Sequence, residues 1–221
     1  MNLLAIDTST SCASVALEFN GAMFVEEAFE IREHARVLLA MVERVLSSSG
    51  VEIKHLDGIV FGEGPGSFTG LRIACSVAKG LAYAHDLPLY PVGSLLAIAA
   101  EAARQNKNQV SLSNTSILAM LDARMNQVYW MFDPESLKHT PYVSAAEDVC
   151  IPEHTSLCLA GVGYEAYFNL LPLQIREAIV CQYETFPRAD AMIRVVQSGN
   201  IASVTADAAM PVYVRQHVTG G

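Results

Sequence analysis

The sequence predicts an α/β protein made of two similar lobes, each a mixed sheet covered by helices. Residues 58–83 have the pattern of a buried strand, a glycine-rich loop and a helix. Apolar runs on both sides of the turn Asn20-Gly21 predict a β-hairpin, which precedes the first segment with helical periodicity. A strand that ends in aspartate, a polar turn and a hairpin occur at Asp7 and again at Asp122. The repetition indicates duplicated βββαβα units.

The first lobe is predicted over residues 1–106. Apolar runs bounded by turn residues predict its strands, and a period of three to four residues predicts its helices. The expected strands are Leu3 to Ile6, Ala13 to Phe19, Ala22 to Phe29, Gly58 to Phe61 and Leu87 to Val92. The expected helices are Glu33 to Ser49, Ser67 to His85 and Gly93 to Gln105.

The second lobe is predicted over residues 107–221, after a polar linker at residues 106–115. The expected strands are Ile117 to Leu121, Val128 to Phe132, Leu137 to Val143, Ser156 to Ala160 and Ala178 to Gln182. The expected helices are a short one near Ala145, one that ends near Leu171, and Arg188 to Ser198. The tail from Val212 to Val218 is predicted to be extended, and its return to the first lobe stays open.

The loop between Gly62 and Gly70 is a candidate binding site. Its glycines permit tight turns, and Ser67 and Thr69 offer hydroxyl groups to cap the helix that follows. A strand, a loop and a helix N-terminus together present backbone N–H groups and a positive dipole end, which suit an anion. The loop has neither the Gly-Lys-Ser/Thr of a P-loop nor a dinucleotide fingerprint. A plain connector and an anion site both stay open.

Composition excludes several classes of protein. A hydrophobic content of 52% with 17% charged residues is typical of an ordered globular chain. The net charge of −9 argues against unaided binding to nucleic acid. We expect no signal peptide and no membrane span, because the apolar runs are short. The five cysteines lack metal-ligand spacing, so we expect reduced core residues in a cytoplasmic protein.

Two polar turns are further candidates. Asp7 with Ser9 and Thr10 either contacts a phosphate or a magnesium-bound nucleotide, or bonds its own backbone. Asp122 and Arg124 either form an ion pair or leave Arg124 to face the acidic surface of a partner, and a structural ion pair is favoured. The six histidines show no metal-ligand spacing, and no serine stands in a nucleophile elbow. A metal-dependent or covalent hydrolase is therefore poorly supported.

Four segments carry a resemblance to a known family. They are DTST from Asp7, GPGSFTGLR from Gly64, DAR from Asp122 with Val128-Tyr129, and PVYVR from Pro211. With them, the chain resembles the bacterial TsaB (YeaZ) family over almost its whole length, and the GPGSFTGLR segment is highly specific. The resemblance implies a two-lobed actin-like, sugar-kinase and Hsp70-type (ribonuclease H-like) fold. It also implies a role in making N6-threonylcarbamoyladenosine at position 37 of tRNAs.

The resemblance further implies a non-catalytic paralogue of TsaD, the catalytic subunit, which binds TsaD and with it helps to recruit the ATPase TsaE. In TsaD, two histidines four residues apart bind the catalytic metal. Ser94 and Ile98 stand at these positions here, and serine is a poor ligand while isoleucine is none. We therefore expect a scaffold with no metal and no cofactor, although weak or interface-assisted binding of ATP or ADP stays open.

The resemblance implies that TsaD binds the two long helices of the first lobe, and their wide apolar faces suit such packing. For the helix from Glu33 to Ser49, enclosure by its own lobe stays open. The residues expected at this interface are His34, Val37, Leu38, Met41, Val42 and Val45 in one helix, and Leu71, Ala74, Val77, Ala78 and Leu81 in the other. The same surface would serve a homodimer when the protein is alone, so the two assemblies should exclude each other. No membrane association and no direct tRNA binding are expected.

The alternative hypothesis is a nucleotide-binding ATPase of the actin-like class. Its phosphate ligands would come from Asp7, Ser9, Thr10, Gly64, Gly66 and Ser67. Two features weigh against it. The first turn contains serine and threonine where such enzymes have glycine-rich phosphate loops, and the second lobe offers only Gly161-Val162-Gly163 for an adenosine.

Overall fold

The computed structural model describes residues 1–29, 34–107, 115–132, 140–152 and 156–214, without the side chains of residues 34, 35 and 107. The strands of the first half are β1 (Leu3–Asp7), β2 (Cys12–Phe19), β3 (Ala22–Phe29), β4 (Gly58–Gly64) and β5 (Leu89–Gly93). Those of the second half are β6 (Ser116–Arg124), β7 (Gln127–Phe132), β8 (Tyr142–Ser144), β9 (Leu157–Val162) and β10 (Ile179–Glu184). The α-helices are α1 (His34–Ser49), α2 (Phe68–His85), α3 (Ser94–Lys107), α4 (Leu173–Ala178) and α5 (Ala189–Gln197).

The strands form two five-stranded sheets with the same topology. The first has the order β3-β2-β1-β4-β5, and the second has the order β8-β7-β6-β9-β10. In each, the first strand pairs antiparallel with the second and parallel with the fourth. The predicted duplication is therefore confirmed, and β1 and β6 occupy equivalent central positions.

Both faces of the first sheet are buried. Leu4 and Ile6 of β1 point toward α1 and α2, in a core that includes Phe61 and Leu38. Leu3 and Ala5 alternate to the opposite face, as the period of two along a strand requires. The hairpin between β2 and β3 is closed by the predicted Asn20-Gly21, both with positive φ.

Helices α3 and α5 are exchanged between the lobes. Helix α5, which follows the second sheet in the chain, packs its Met192 and Ile193 on the free face of the first sheet. Helix α3, which follows the first sheet, packs its Leu95 and Ile98 on the second sheet. The two helices also contact each other, and the buried Glu101 of α3 forms ion pairs with Arg104 and Arg194.

The outer face of the second sheet has a separate core. It contains Trp130, Leu159 and Ile175 together with two short 3₁₀ segments at Ala146–Asp148 and Glu165–Leu170. The sequence predicted one helix ending near Leu171. The structure has instead a 3₁₀ segment followed by α4, because Pro172 follows Leu171 and acts as the N-cap of the new helix.

Several predicted boundaries were wrong. Strand β4 continues through the glycines to Gly64, because their backbone pairs with β5. Strand β6 continues to Arg124, since this residue pairs with Gln127 across a two-residue turn. Helix α3 includes residues 106 and 107, which were assigned to the linker, so the predicted lobe boundary falls within its last turn.

Some predicted segments lie partly outside the described residues. These are Glu33 of the first helix, residues 108–114 of the linker, residues 137–139 of the third strand and residues 215–218 of the tail. Within the described parts of the chain, no helix is both long and apolar enough to cross a membrane.

Candidate functional site

A cleft of about 1280 Å³ lies between the lobes, at the ends of the central strands. The first lobe contributes the turn after β1, the loop before α2 and the start of α2. The second lobe contributes the β6–β7 hairpin and the ends of β9 and β10. The lining residues include Ser9, Thr10, Gly66, Ser67, Phe68, Thr69, Asp122, Arg124, Tyr129, Gly163, Glu165, Glu184, Phe186, Val212 and Tyr213.

The turn after β1 and the glycine-rich loop pack directly on each other. The backbone N–H of Ser67 donates to the carbonyl of Ser9 at 2.7 Å. The hydroxyl of Thr8 donates to the carbonyl of Gly70 at 2.7 Å. A side chain at Gly66 would place its Cβ 2.3 Å from the Ser9 carbonyl oxygen, so this contact requires glycine.

Gly70 faces the same turn from the first turn of α2. A Cβ at Gly70 would lie 1.8 Å from the carbonyl oxygen of Thr8. Its own N–H donates to the Ser67 hydroxyl at 3.2 Å, which caps the helix as predicted. The Ser67 N–H, the Ser67 hydroxyl and the Gly70 N–H therefore form hydrogen bonds within the protein.

Asp7 lies beneath this contact and is fully buried. Its Oδ1 accepts hydrogen bonds from the backbone N–H of Ser9 at 3.0 Å and from the Ser9 hydroxyl at 2.8 Å. Its Oδ2 is buried, has no hydrogen-bond partner among the described residues and faces Gly62, where a Cβ would lie 1.8 Å away. Burial raises the pKa of the Asp7 carboxyl to about 7, although the Ser9 hydrogen bonds oppose that change.

The structure separates the residues predicted to contact phosphate. Ser9, Thr10, Gly66 and Ser67 line the cleft. Asp7 is buried behind them, and Gly64 lies against the tail, where a Cβ would come within 2.9 Å of the Val212 carbonyl oxygen. Their binding of phosphate stays a prediction.

The second-lobe wall carries most of the acidic groups of the cleft. Asp122 accepts hydrogen bonds from the Arg124 backbone at 2.7 Å and from the Tyr167 hydroxyl at 3.2 Å. The predicted ion pair between Asp122 and Arg124 is confirmed at 3.3 Å, and the arginine is largely exposed. Glu165 and Glu184 line the same wall. This wall therefore favours cationic or neutral ligands over phosphates.

The tail closes the first-lobe side of the cleft. Upstream of the tail, Val204 forms an antiparallel bridge with Leu89 at the edge of the first sheet. At the start of the tail, the backbone N–H of Val212 donates to the Glu63 carbonyl at 2.7 Å. We did not assign Glu165, Glu184, Phe186 or Val212 to a site from sequence, because no local motif marks residues that only the folded chain brings together.

Most residues predicted at a partner interface on α1 and α2 belong to the core of the first lobe. The buried ones are Leu38, Met41, Val42, Val45, Leu71, Ala74 and Ala78. Val37, Val77 and Leu81 are half-buried at the core's edge, and the side chain of His34 lies outside the described residues. The predicted binding of a partner by these helices stays a prediction, but the buried side chains are not accessible for it.

Ser94 and Ile98 lie in the first turns of α3 and are fully buried. Within the part of the chain that the structure describes, the Ser94 hydroxyl has no hydrogen-bond partner. Ile98 packs in the core between α3 and the second sheet. Throughout the described ranges, no group of three or more His, Cys, Asp or Glu side chains is arranged to hold a metal ion.

Comparison with known proteins identifies the family. Residues 28–210 match the family described as TsaD, tRNA N6-adenosine threonylcarbamoyltransferase. The TsaB protein of Haemophilus influenzae is 30% identical over 99% of this chain and 95% of its own length. The TsaB protein of Escherichia coli is 33% identical over 99% and 96%, respectively.

A solved structure agrees with these relatives. YeaZ from Pseudomonas aeruginosa superposes with a TM-score of 0.83 at 32% identity, covering 96% of this chain and 99% of that protein. Agreement in sequence and in structure over nearly full length supports one assignment. The chain belongs to the TsaB (YeaZ) family of tRNA threonylcarbamoyladenosine biosynthesis proteins, and it has the two-lobed actin-like fold of the wider TsaD-related group.

Proposed function

We propose that this protein is a cytoplasmic, non-catalytic scaffold subunit that binds and activates TsaD and, together with TsaD, helps to recruit the ATPase TsaE. The proposal rests on Ser94 and Ile98, which the family resemblance assigns to the positions of the metal-binding histidines of TsaD. Both are buried within α3 packing. A serine hydroxyl and an isoleucine side chain replace two imidazoles, so these positions do not supply that metal site.

The binding surface for TsaD is proposed on the solvent side of α1 and α2. Half-buried Val37, Val77 and Leu81 lie at the edge of the core, and Leu39 is 52% exposed. Gly80 lies on the exposed side of α2, where a Cβ would meet no atom within 4 Å. An apolar edge beside a small residue allows another helix to approach closely.

A second copy of the chain would use the same surface, so we propose that the free protein is a homodimer that exchanges for a heterodimer with TsaD. Size-exclusion chromatography with light scattering, on the protein alone and mixed with TsaD, tests this exchange. We expect the mass of a homodimer to be replaced by that of a heterodimer. A mass that TsaD leaves unchanged would contradict the proposal.

A pair of variants locates the surface. Leu39→Glu places a charge on α1 and should weaken TsaD binding at least tenfold. Leu173→Glu is the matched control, because Leu173 is 57% exposed but lies in α4 of the second lobe. An equal loss of TsaD binding in Leu39→Glu and Leu173→Glu would exclude the solvent side of α1 and α2 as the binding surface. The same conclusion would follow if neither Leu39→Glu nor a further variant, Gly80→Arg, lost binding.

One observation favours the alternative, a nucleotide-binding ATPase: the cleft between the lobes is large and contains four of the six residues predicted to contact phosphate. Isothermal titration of the isolated protein with ATP and Mg²⁺ separates the two proposals. Saturable binding with turnover would favour the ATPase, and no heat of binding would favour the scaffold.

A further inference from the structure

An exposed patch lies at the mouth of the cleft, where the tail crosses the start of α2. The ring centroids of Phe68 and Tyr213 are 5.4 Å apart. The guanidinium carbon of Arg72 lies 3.8 Å from the Phe68 ring centroid, and its Nε donates to the Tyr213 hydroxyl at 3.1 Å. Phe68 is 55%, Tyr213 43% and Val212 42% exposed. We call Phe68, Arg72, Val212 and Tyr213 the cleft-mouth patch.

The patch is held in position by the backbone of the tail. Val212 is hydrogen-bonded to Glu63 at the end of β4. Just before it, the Ala209 carbonyl accepts a hydrogen bond from the Lys79 ammonium at 3.1 Å, and Ala209 is buried in the first-lobe core. Because these contacts already order the tail, a ligand would lose little conformational entropy on binding there.

The composition of the patch is that of a protein-binding surface. Aromatic residues and arginine are enriched where single side chains contribute most to association. Here two aromatic rings, an arginine and a valine are contiguous, and three of them remain accessible to water. Covering these rings with an apolar side chain would remove their surface from water, which favours binding.

The charges around the patch indicate what kind of partner fits. Arg72 pairs with no carboxylate in the part of the chain that the structure describes, whereas Arg44, Arg104 and Arg188 all do. Across the cleft, Glu165 and Glu184 would repel the phosphates of an RNA strand. The patch therefore suits a ligand that brings one carboxylate to Arg72 without a continuous line of negative charge.

We propose that the cleft-mouth patch binds a short segment of a partner protein that carries a carboxylate beside an apolar side chain. An aromatic or aliphatic side chain of the segment covers Phe68 and Tyr213, and a carboxylate pairs with Arg72. This surface is distinct from the one proposed for TsaD. Phe68 begins α2, whereas Leu81 of the TsaD surface lies near its end, so along the helix axis the two are about 20 Å apart.

The test is selection of random displayed peptides on the full-length protein, followed by fluorescence anisotropy with the enriched peptides. We expect enriched peptides to combine acidic residues with an aromatic or aliphatic one. Phe68→Ala and Arg72→Glu should each weaken their binding at least tenfold. Tyr83→Ala is the matched control, because Tyr83 is an exposed aromatic residue of the same helix. Replacing the peptide's acidic residues by lysine should restore binding to Arg72→Glu.

The proposal is overturned if the wild-type protein enriches no peptide that the Arg72→Glu protein does not also enrich. It is overturned as well if the enriched peptides bind Phe68→Ala as tightly as the wild type. It is also overturned if an anticodon stem-loop RNA binds and Arg72→Glu alone abolishes that binding, since the patch would then serve RNA. Circular dichroism verifies that each variant is folded. TsaD binding by Arg72→Glu is measured as well. If this variant loses the peptides but still binds TsaD, the patch and the scaffold surface are tested independently.

Discussion

Asp7 and Asp122 occupy equivalent places in the two sheets, yet their surroundings are opposite. Both lie in the strand that pairs antiparallel with the second strand and parallel with the fourth. Asp7 is fully buried, and one of its carboxylate oxygens has no hydrogen-bond partner in the described ranges. Asp122 is half-buried and accepts hydrogen bonds from a tyrosine and from the backbone of an exposed turn.

The difference comes from the loop that lies against each turn. In the first lobe, Gly66 and Gly70 let the loop contact the backbone of the turn, and the loop thereby separates Asp7 from water. In the second lobe, Gly163 approaches the Cβ of Asp122 but leaves its carboxylate at the wall of the cleft. A duplicated fold therefore repeats the position of a residue without repeating its chemistry.

The largest predicted effect is the pH dependence of stability from Asp7. Its pKa is about 7 in the folded protein and 3.8 as the ordinary value. The folded state therefore binds more protons between these values, so the free energy of unfolding falls as pH rises from about 4 to about 7. The decrease from this group amounts to at most about 4 kcal/mol.

Urea unfolding at about pH 5 and about pH 8 measures this decrease in the wild type and in Asp7→Asn. The variant should lack it, because its side chain does not ionise. Asp122→Asn is the control, because it removes a carboxyl group at the equivalent position of the second sheet. An Asp7→Asn variant with the full wild-type pH dependence would show that another group is responsible.

The second effect concerns the contact that seals Asp7. Gly70→Ala forces a Cβ against the Thr8 carbonyl, which is backbone and has little freedom to move. We expect a loss of about 3 kcal/mol in the free energy of unfolding. Gly80→Ala in the same helix meets open space and should stabilise the protein by up to about 1 kcal/mol. Thermal unfolding of both variants measures this, and an equal effect at both positions would refute the close contact.

The smallest predicted effect is the loss of unfolding free energy when one hydrogen-bond donor to Asp7 or to Asp122 is removed. Ser9→Ala removes a buried donor to Asp7 and should cost about 1.5 kcal/mol. Tyr167→Phe removes a donor to the more exposed Asp122 and should cost about 0.5 kcal/mol. Denaturant unfolding at neutral pH measures both. If Tyr167→Phe were the more damaging variant, the contrast between the lobes would be reversed.

Much of the fold could be predicted from the sequence, because local patterns determine its elements. The Asn20-Gly21 turn gave the bounds of β3, and the repeated aspartate ends identified the duplication. The exchange of α3 and α5 could not be predicted. An amphipathic helix shows that one side is buried, but not which sheet buries it.

The site was predictable only in part, for the same reason. The glycine loop was recognised as special, but glycine permits both anion binding and close packing, and only the folded chain shows Ser9 and Thr8 against it. From sequence, the wide apolar face of α1 fits both a partner surface and enclosure within its own lobe. The structure buries Leu38, Met41 and Val45 in the monomer, because the first sheet and α2 together cover that width.

The exchange of α3 and α5 also affects how the chain is made. Helix α5 covers one face of the first sheet, although the whole second sheet is translated between them. On the ribosome, the part of this face that α5 covers therefore stays exposed until the last elements are synthesised. We expect the two lobes to complete their folding together at the end of translation rather than one after the other.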